Sequence, residues 1–152
     1  MKVRTSYFYQ IRNFKPNMIP MSTALSDPAW FHDWKDSDYV FKDKRGILNG
    51  LRLHPIIVQG GGHCPCEDKD WTHCPLEKSY KENLAKIDFN KMLKGMEDFC
   101  NMYAKQENLK EEPIAVLMVY EKPDNMCSER MTLIDFFTEH GIECKELDYP
   151  IG

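Results

Sequence analysis

The stretch that decides the fold is Ile114-Ala115-Val116-Leu117-Met118-Val119-Tyr120. Pro113 precedes this apolar run, and the polar residues Glu121-Lys122-Pro123-Asp124 follow it. An apolar run of strand length without a polar face is typical of a strand that is buried on both sides of a parallel sheet. The sequence therefore predicts a central strand over residues 114–120.

The residues after this strand predict a short loop and then a helix. A turn is expected at Lys122-Pro123-Asp124-Asn125. Apolar residues then recur at helical spacing, and a glycine of the kind that ends a helix follows them: Leu133, Ile134, Phe137 and Gly141. Ligands of open α/β sheets bind beyond the carboxyl ends of strands, so we expect a functional site in this loop.

The rest of the chain predicts a layered, Rossmann-like α/β domain whose sheet is mostly parallel, with about four to five strands. Residues 3–11, 18–25, 51–58 and 142–147 have the composition of extended segments, and Pro20 is expected near a strand end. Helices are expected to begin at Pro75 and after the capping residue Asp88. We predict a single domain over residues 1–152, with a Cys/His-rich loop insert at about residues 60–75.

Composition and net charge argue against several classes of protein. The chain has 152 residues, of which 42% are apolar, and a formal charge of −4. These values argue against disorder and against general nucleic-acid binding. The sequence begins without the apolar core of a signal peptide, and its longest apolar run is too short to span a bilayer. We therefore expect a cytoplasmic protein that does not associate with membranes, in which cysteines are thiols or metal ligands.

The loop after the central strand carries a thiol and a guanidinium, Cys127 and Arg130. A cysteine at a helix N-terminus has its thiolate favoured by the helix dipole, which lowers the thiol pKa below its usual ~8.5. Arg130 follows one turn later and suits a carboxylate or a phosphate. We predict a pocket for an anionic small molecule such as a nucleotide, with Cys127, Arg130 and the acid or base Glu121 as catalytic residues. Ser128 would contact the ligand.

A structural role for the same residues stays open at this point. Cys127 would then be a small buried side chain, and Arg130 would hold the loop by pairing with Glu129, Asp135 or Glu121. The aromatic residues Trp30 and Trp34 leave a similar choice. They would either stack on a ring of the ligand or form a satellite core over the sheet.

A cluster of cysteine and histidine residues in the insert suggests a metal site. Thiolate and imidazole are the ligands that zinc prefers. The candidate ligands are His63, Cys64, Cys66, His73 and Cys74. Their spacing differs from the paired Cys-x2-Cys pattern of zinc ribbons, so unligated thiols in a loop are the other interpretation. A bound zinc would favour a second function, a non-catalytic interaction module whose insert the metal stabilises.

Three groups of residues resemble a known family. The first is Thr5-Ser6-Tyr7-Phe8 with Pro20 and Pro28-Ala29-Trp30; the second is Tyr80, Leu84, Asp88 and Phe89; the third is Val119-Tyr120-Glu121-Lys122-Pro123 with Cys127 and Arg130. On these residues the chain resembles domain-of-unknown-function family 488. Members commonly have Cys-His-Arg where this chain has Cys127-Ser128-Glu129-Arg130. The resemblance implies a Rossmann-like α/β fold and is compatible with an enzymatic role.

Overall fold

A parallel sheet organises the computed structural model, which describes residues 1–23, 28, 31, 51–52, 70–71, 74–125 and 128–152. Its strands are β1 (Lys2–Tyr7), β2 (Met18–Ser22), β3 (Leu51–Arg52), β4 (Ile114–Val119) and β5 (Cys144–Glu146). The five strands lie in the order β3-β2-β4-β1-β5, and every pair is parallel. The predicted α/β fold with a parallel sheet is confirmed. Most of the Cys/His-rich insert lies outside the described residues.

The central position predicted for β4 is confirmed. β4 pairs with β1 on one side and with β2 on the other, and Ala115 to Val119 are 0% exposed. Burial on both faces explains why the run has no polar residue. The strand ends at Val119, one residue before the predicted end. Tyr120, the next residue, is 52% exposed and begins the loop.

Three helices pack against the sheet and one another: α1 (Pro75–Ala85), α2 (Phe89–Gln106) and α3 (Arg130–Glu139). The predicted starts of α1 and α2 are confirmed, and the Asp88 carboxylate accepts the backbone N–H of Lys91 at 3.2 Å. α3 ends at Glu139, shortly before Gly141, whose φ of 82° favours glycine. Across the described ranges, no helix has the length and apolar character needed to span a membrane.

Two sequence-based expectations for the first strands need correction. β1 ends at Tyr7, and a 3-10 helix, Phe8–Asn13, replaces the predicted continuation to Ile11. Phe8 and Ile11 are both buried, and their spacing of three residues fits a 3-10 turn. Pro20 lies inside β2, not at its end. Where the structure describes both strands, β3 pairs with Met21 and Ser22, the two residues that follow Pro20.

Candidate functional site

The carboxyl ends of β1 and β4 are the expected binding position of this sheet. The chain leaves β1 towards β2 and leaves β4 towards β5, so the two connections run in opposite directions along the sheet. Ligands of open α/β sheets bind at such a switch point. The loop after β4, described at residues 120–125 and 128–129, lies at this end of the sheet.

The loop after β4 is held in shape by hydrogen bonds. The predicted turn is confirmed, because the Asn125 N–H donates to the Lys122 carbonyl at 3.0 Å. Ser128 is buried, and its hydroxyl accepts the backbone N–H of Arg130 at 3.2 Å. This bond caps the first turn of α3. The structure thus shows a capping role for Ser128, and the ligand contact predicted for this residue stays a prediction.

Arg130 is buried at the start of α3, and all three of its guanidinium nitrogens donate to protein oxygens. Nε donates to the Glu146 carboxylate at 2.7 Å, Nη1 to the Lys122 carbonyl at 3.4 Å, and Nη2 to the Glu121 carbonyl. The side chain thus joins α3, β5 and the loop after β4. Among the alternatives stated above, a structural pairing is observed. Its partner is Glu146 of β5 in place of the expected Glu129, Asp135 or Glu121 carboxylate.

Glu146 is the centre of a polar network at the carboxyl ends of β1 and β5. Its carboxylate accepts hydrogen bonds from Arg130, from the Thr5 hydroxyl at 2.6 Å and from the Tyr149 hydroxyl. The Tyr149 hydroxyl also lies 2.7 Å from the Ser6 hydroxyl. Because the Arg130 charge is balanced by a carboxylate within this network, little of it is available to a ligand anion.

Two carboxyl groups meet in the same loop. Glu121 lies just after β4, Glu129 lies just before α3, and their side chains are hydrogen-bonded to each other. Burial raises the pKa of Glu129 to about 8, and the negative charge of Glu121 and the shared hydrogen bond act in the same direction. The opposing effects of its own backbone N–H and of Arg130 are smaller than those of burial and of the Glu121 charge, and larger than that of the hydrogen bond. At neutral pH Glu129 therefore mostly keeps its proton.

Glu129 has the position of a helix cap but not the bond. It is the residue before α3, and its side chain accepts no capping hydrogen bond. A glutamate at a helix N-terminus would ordinarily be ionised and stabilised by the helix dipole. Here the carboxyl group lies next to a second carboxyl group, whose negative charge disfavours ionisation of Glu129. Such an arrangement is typical of sites where a carboxyl group has to hold a proton.

Tyr80 of α1 contributes a buried hydroxyl group close to this pair. The side chain is 0% exposed, and within the described part of the chain its hydroxyl has no hydrogen-bond partner. Burial raises its pKa well above the usual range, and the charges of Glu129 and Glu121 raise it further. A buried hydroxyl without a partner costs about 1–3 kcal/mol, so a packing role alone would be better served by phenylalanine.

Trp71 connects Tyr80 to the start of α3. Its indole N–H donates to the Thr132 hydroxyl at 2.6 Å, in the first turn of that helix. Its ring packs edge-on against the Tyr80 ring, with 6.2 Å between centroids. The orphan hydroxyl and the carboxyl pair are therefore neighbours of the same helix end.

Aromatic side chains line the carboxyl ends of β1 and β4. The exposed Tyr120 ring lies against Phe8 at 4.7 Å between centroids, and Tyr7 packs edge-on against Tyr149 at 5.7 Å. Phe31 is buried and packs edge-on against Phe8 at 5.7 Å. These rings supply an apolar wall at this end of the sheet; Trp30 and Trp34, for which stacking was predicted, lie outside the described residues.

The structure brings together three of the predicted site residues: Glu121, Ser128 and Arg130. Cys74 is also described, as a buried free thiol immediately before α1. The others lie outside the described residues: Cys127, Trp30, Trp34, His63, Cys64, Cys66 and His73. In the ranges that the structure does describe, no three His, Cys, Asp or Glu side chains form a group able to hold a metal ion.

Sequence reasoning assigned no site role to Glu129, Tyr80 or Glu146. The available signal for Glu129 was its place between the strand and the helix, beside two singled-out residues. Tyr80 was named only among the residues that resemble a known family. Comparison of the chain with protein-family models, with curated proteins and with solved structures finds no match.

Proposed function

We propose that this chain is an enzyme that binds a small molecule beyond the carboxyl ends of β1 and β4 and transfers protons through Glu121 and Glu129. What supports the proposal is the burial of the Glu129 carboxyl group next to a second carboxyl group, Glu121, between the end of β4 and the start of α3. Two carboxyl groups that share one proton offer an acid and a base side by side at neutral pH. General acid–base catalysis needs both forms near the operating pH.

The closeness of the two carboxyl groups narrows the chemistry. Glycoside hydrolysis uses carboxyl groups at least about 5 Å apart, on either side of the scissile bond. A hydrogen-bonded pair is closer than that and acts from one side of the substrate. The pair therefore suits activation of a water molecule, or proton transfer at a single carbon or oxygen atom.

The ligand charge is the part of the sequence-based hypothesis that the site supports least. Arg130, the predicted anion clamp, donates to Glu146 and to two carbonyl groups. A phosphate beside this loop would instead meet the negative charge of the carboxyl pair. We therefore favour a substrate without a fixed negative charge, and a nucleotide stays a prediction that protection of Cys127 from alkylation would test. A cytoplasmic location remains part of the proposal.

The test of the proposal is a pH titration of the glutamate side chains by carbon NMR, using protein labelled at the glutamate carboxyl carbon. One carboxyl group should titrate near pH 8, and its signal should be lost in Glu129→Gln. Glu121→Gln should move that titration to lower pH by removing a negative neighbour. If every glutamate titrates near the usual value of about 4.3, the pair shares no proton and the proposal fails.

Catalysis is tested by screening hydrolysis and isomerisation of small uncharged substrates. Any activity found should disappear in both Glu121→Gln and Glu129→Gln and persist in Glu139→Gln. Glu139 is a matched control because it is an exposed glutamate of the same helix, α3. Activity that survives both substitutions in the pair would exclude it as the proton-transfer group.

The second candidate function is the zinc-stabilised interaction module. One observation favours it: Cys74 is a buried thiol at the end of the insert, held against the core by its backbone N–H, which donates to the Trp71 carbonyl at 3.0 Å. A metal bound there would fix the insert next to α1. Metal analysis of protein purified without added zinc should find about one equivalent, and Cys74→Ser should lower it. Metal-free protein whose melting temperature is unaffected by a chelator would exclude this function.

A further inference from the structure

The basic residues of the chain are unevenly distributed along the sequence. Residues 1–26 contain four basic residues and no aspartate or glutamate, whereas the remaining 126 residues contain 16 basic and 24 acidic ones. The formal charge of −4 is therefore the balance of a positive first segment and an acidic remainder. Such an asymmetry indicates a local surface for an anionic partner on a protein whose net charge is negative.

The 3-10 helix Phe8–Asn13 exposes part of this positive segment just after the carboxyl end of β1. Tyr9 is 58% exposed, and the guanidinium carbon of Arg12 lies 4.4 Å from the centroid of its ring. Side chains three residues apart lie above each other in a 3-10 helix, so the contact follows from the spacing. Gln10 and Asn13 form a second pair at this spacing, in which the Asn13 amide donates to the Gln10 side-chain carbonyl at 3.1 Å.

Arg12 differs from two other arginines of the fold in having no acidic partner. Arg4 pairs with a glutamate at 3.3 Å and Arg130 with another at 2.7 Å. Among the described residues, no carboxylate forms an ion pair with Arg12 or with the exposed Lys15. The contact with Tyr9 orders the guanidinium but leaves its N–H groups to donate to a ligand.

We propose that Tyr9, Arg12 and Lys15, here called the Tyr9 patch, bind a short segment of single-stranded nucleic acid. A base would stack on the pair formed by the tyrosine ring and the guanidinium plane. The two cations would contact neighbouring phosphates, since three residues separate their Cα atoms by at most about 11 Å. The inference is independent of the carboxyl pair, which lies in the loop after β4.

The exposed ring favours nucleic acid over an acidic protein segment as the partner. Carboxylates would satisfy the two cations but would leave the stack of Tyr9 and Arg12 in water. A nucleotide strand supplies a flat ring and a phosphate in every unit, which matches both parts of the patch. Because two cations neutralise about two phosphates, we expect weak, local and salt-dependent binding.

The test is a fluorescence-anisotropy titration of the full chain with fluorescein-labelled hexa-adenylate RNA. We expect saturable binding that weakens about 7-fold between about 50 and about 200 mM salt, the result of contacts to about two phosphates. Tyr9→Ala should weaken binding by about 5- to 150-fold, the usual effect of losing one stacked ring. Tyr9→Phe keeps the ring and should bind as the unaltered chain does. The same strand as DNA should also bind, because neither contact requires the 2′-hydroxyl.

The salt dependence tests the charged part of the patch separately. Lys15→Gln should reduce the slope of log affinity against log salt by about 0.7, whereas Tyr9→Ala should leave the slope unchanged. Lys91→Gln is the matched control, since Lys91 is an exposed lysine of α2, and it should alter neither affinity nor slope.

Three results would overturn the proposal. The first is no binding at the lower salt concentration. The second is equal binding by Tyr9→Ala and the unaltered chain, or equal competition by unlabelled polyglutamate, either of which would exclude base stacking on the patch. The third is an effect of Lys91→Gln as large as that of Lys15→Gln, which would show attraction of the strand without a defined site. All the substituted side chains are exposed, so the variants should fold, as circular dichroism would verify.

Discussion

Replacing Glu129 by glutamine should make the protein more stable at alkaline pH than the unaltered chain. Glutamine keeps the shape of the protonated carboxyl group, and its amide donates the same hydrogen bond to Glu121. The raised pKa of Glu129 means that the folded chain keeps a proton that the unfolded chain releases. The stability that comes from this proton is complete below the unfolded pKa of about 4.5 and is lost as pH rises towards about 8.

The size of the effect follows from the pKa difference. One unit of pKa corresponds to about 1.4 kcal/mol, so the full shift from 4.5 to about 8 sets an upper limit on the order of 5 kcal/mol. The shared proton and the partial exposure of Glu129 reduce this, and we expect about 2–3 kcal/mol between pH 5 and pH 8. Glu129→Gln should lack this decline, whereas its stability at pH 5 should be close to that of the unaltered chain.

The assay is urea unfolding at pH 5, 6, 7 and 8, followed by tryptophan fluorescence. The informative quantity is the difference in unfolding free energy between the variant and the unaltered protein, because other titrating groups cancel in it. Glu139→Gln, an exposed change on the same helix, should give a difference that is flat with pH. If the Glu129→Gln difference is equally flat, Glu129 is an ordinary ionised carboxylate and the reasoning about the pair is wrong.

Three further predictions concern Glu146 and three of the cysteine thiols. Glu146→Gln should destabilise the fold by about 3 kcal/mol in equilibrium unfolding, because it leaves the buried Arg130 charge without its carboxylate. An unchanged unfolding midpoint would contradict the hydrogen-bond network around Glu146. Alkylation by iodoacetamide at pH 8 should be slow at Cys100 and Cys144, since burial raises the pKa of both thiols to about 12. Cys127 should react faster, as a mass-spectrometric time course would show, and equal rates at the three thiols would remove the predicted activation.

Much of the fold follows from local patterns in the sequence. The apolar run of β4 identifies a strand buried on both faces, and Asp88 marks the start of α2, because both signals arise from residues close together in the chain. The end of β1 does not follow. Its alternating pattern continues past Tyr7, but the buried positions Phe8 and Ile11 favour a 3-10 turn that depends on contacts with distant residues such as Phe31.

The candidate site, too, can be predicted from the sequence only in part. Its location in the loop after β4 follows from the order of strand, loop and helix. The partner of Arg130 does not follow, because Glu146 comes from β5 and is brought close only when the parallel sheet forms. The sequence suggested only carboxylates that are near Arg130 in the chain: Glu129, Asp135 and Glu121. The orphan hydroxyl of Tyr80 is invisible in the sequence for the same reason, since its apolar neighbours make it look like an ordinary core residue.

The two carboxyl systems of the site gain opposite properties from their surroundings. Glu146 accepts hydrogen bonds from Arg130, Thr5 and Tyr149, so its negative charge is matched on several sides. Glu129 is desolvated and faces another carboxyl group, so burial and repulsion raise its pKa. Acid–base sites typically have environments that keep one carboxyl group charged and another one protonated. The guanidinium of Arg130 is bound to Glu146. Glu129 therefore keeps its proton although it directly precedes Arg130 in the chain.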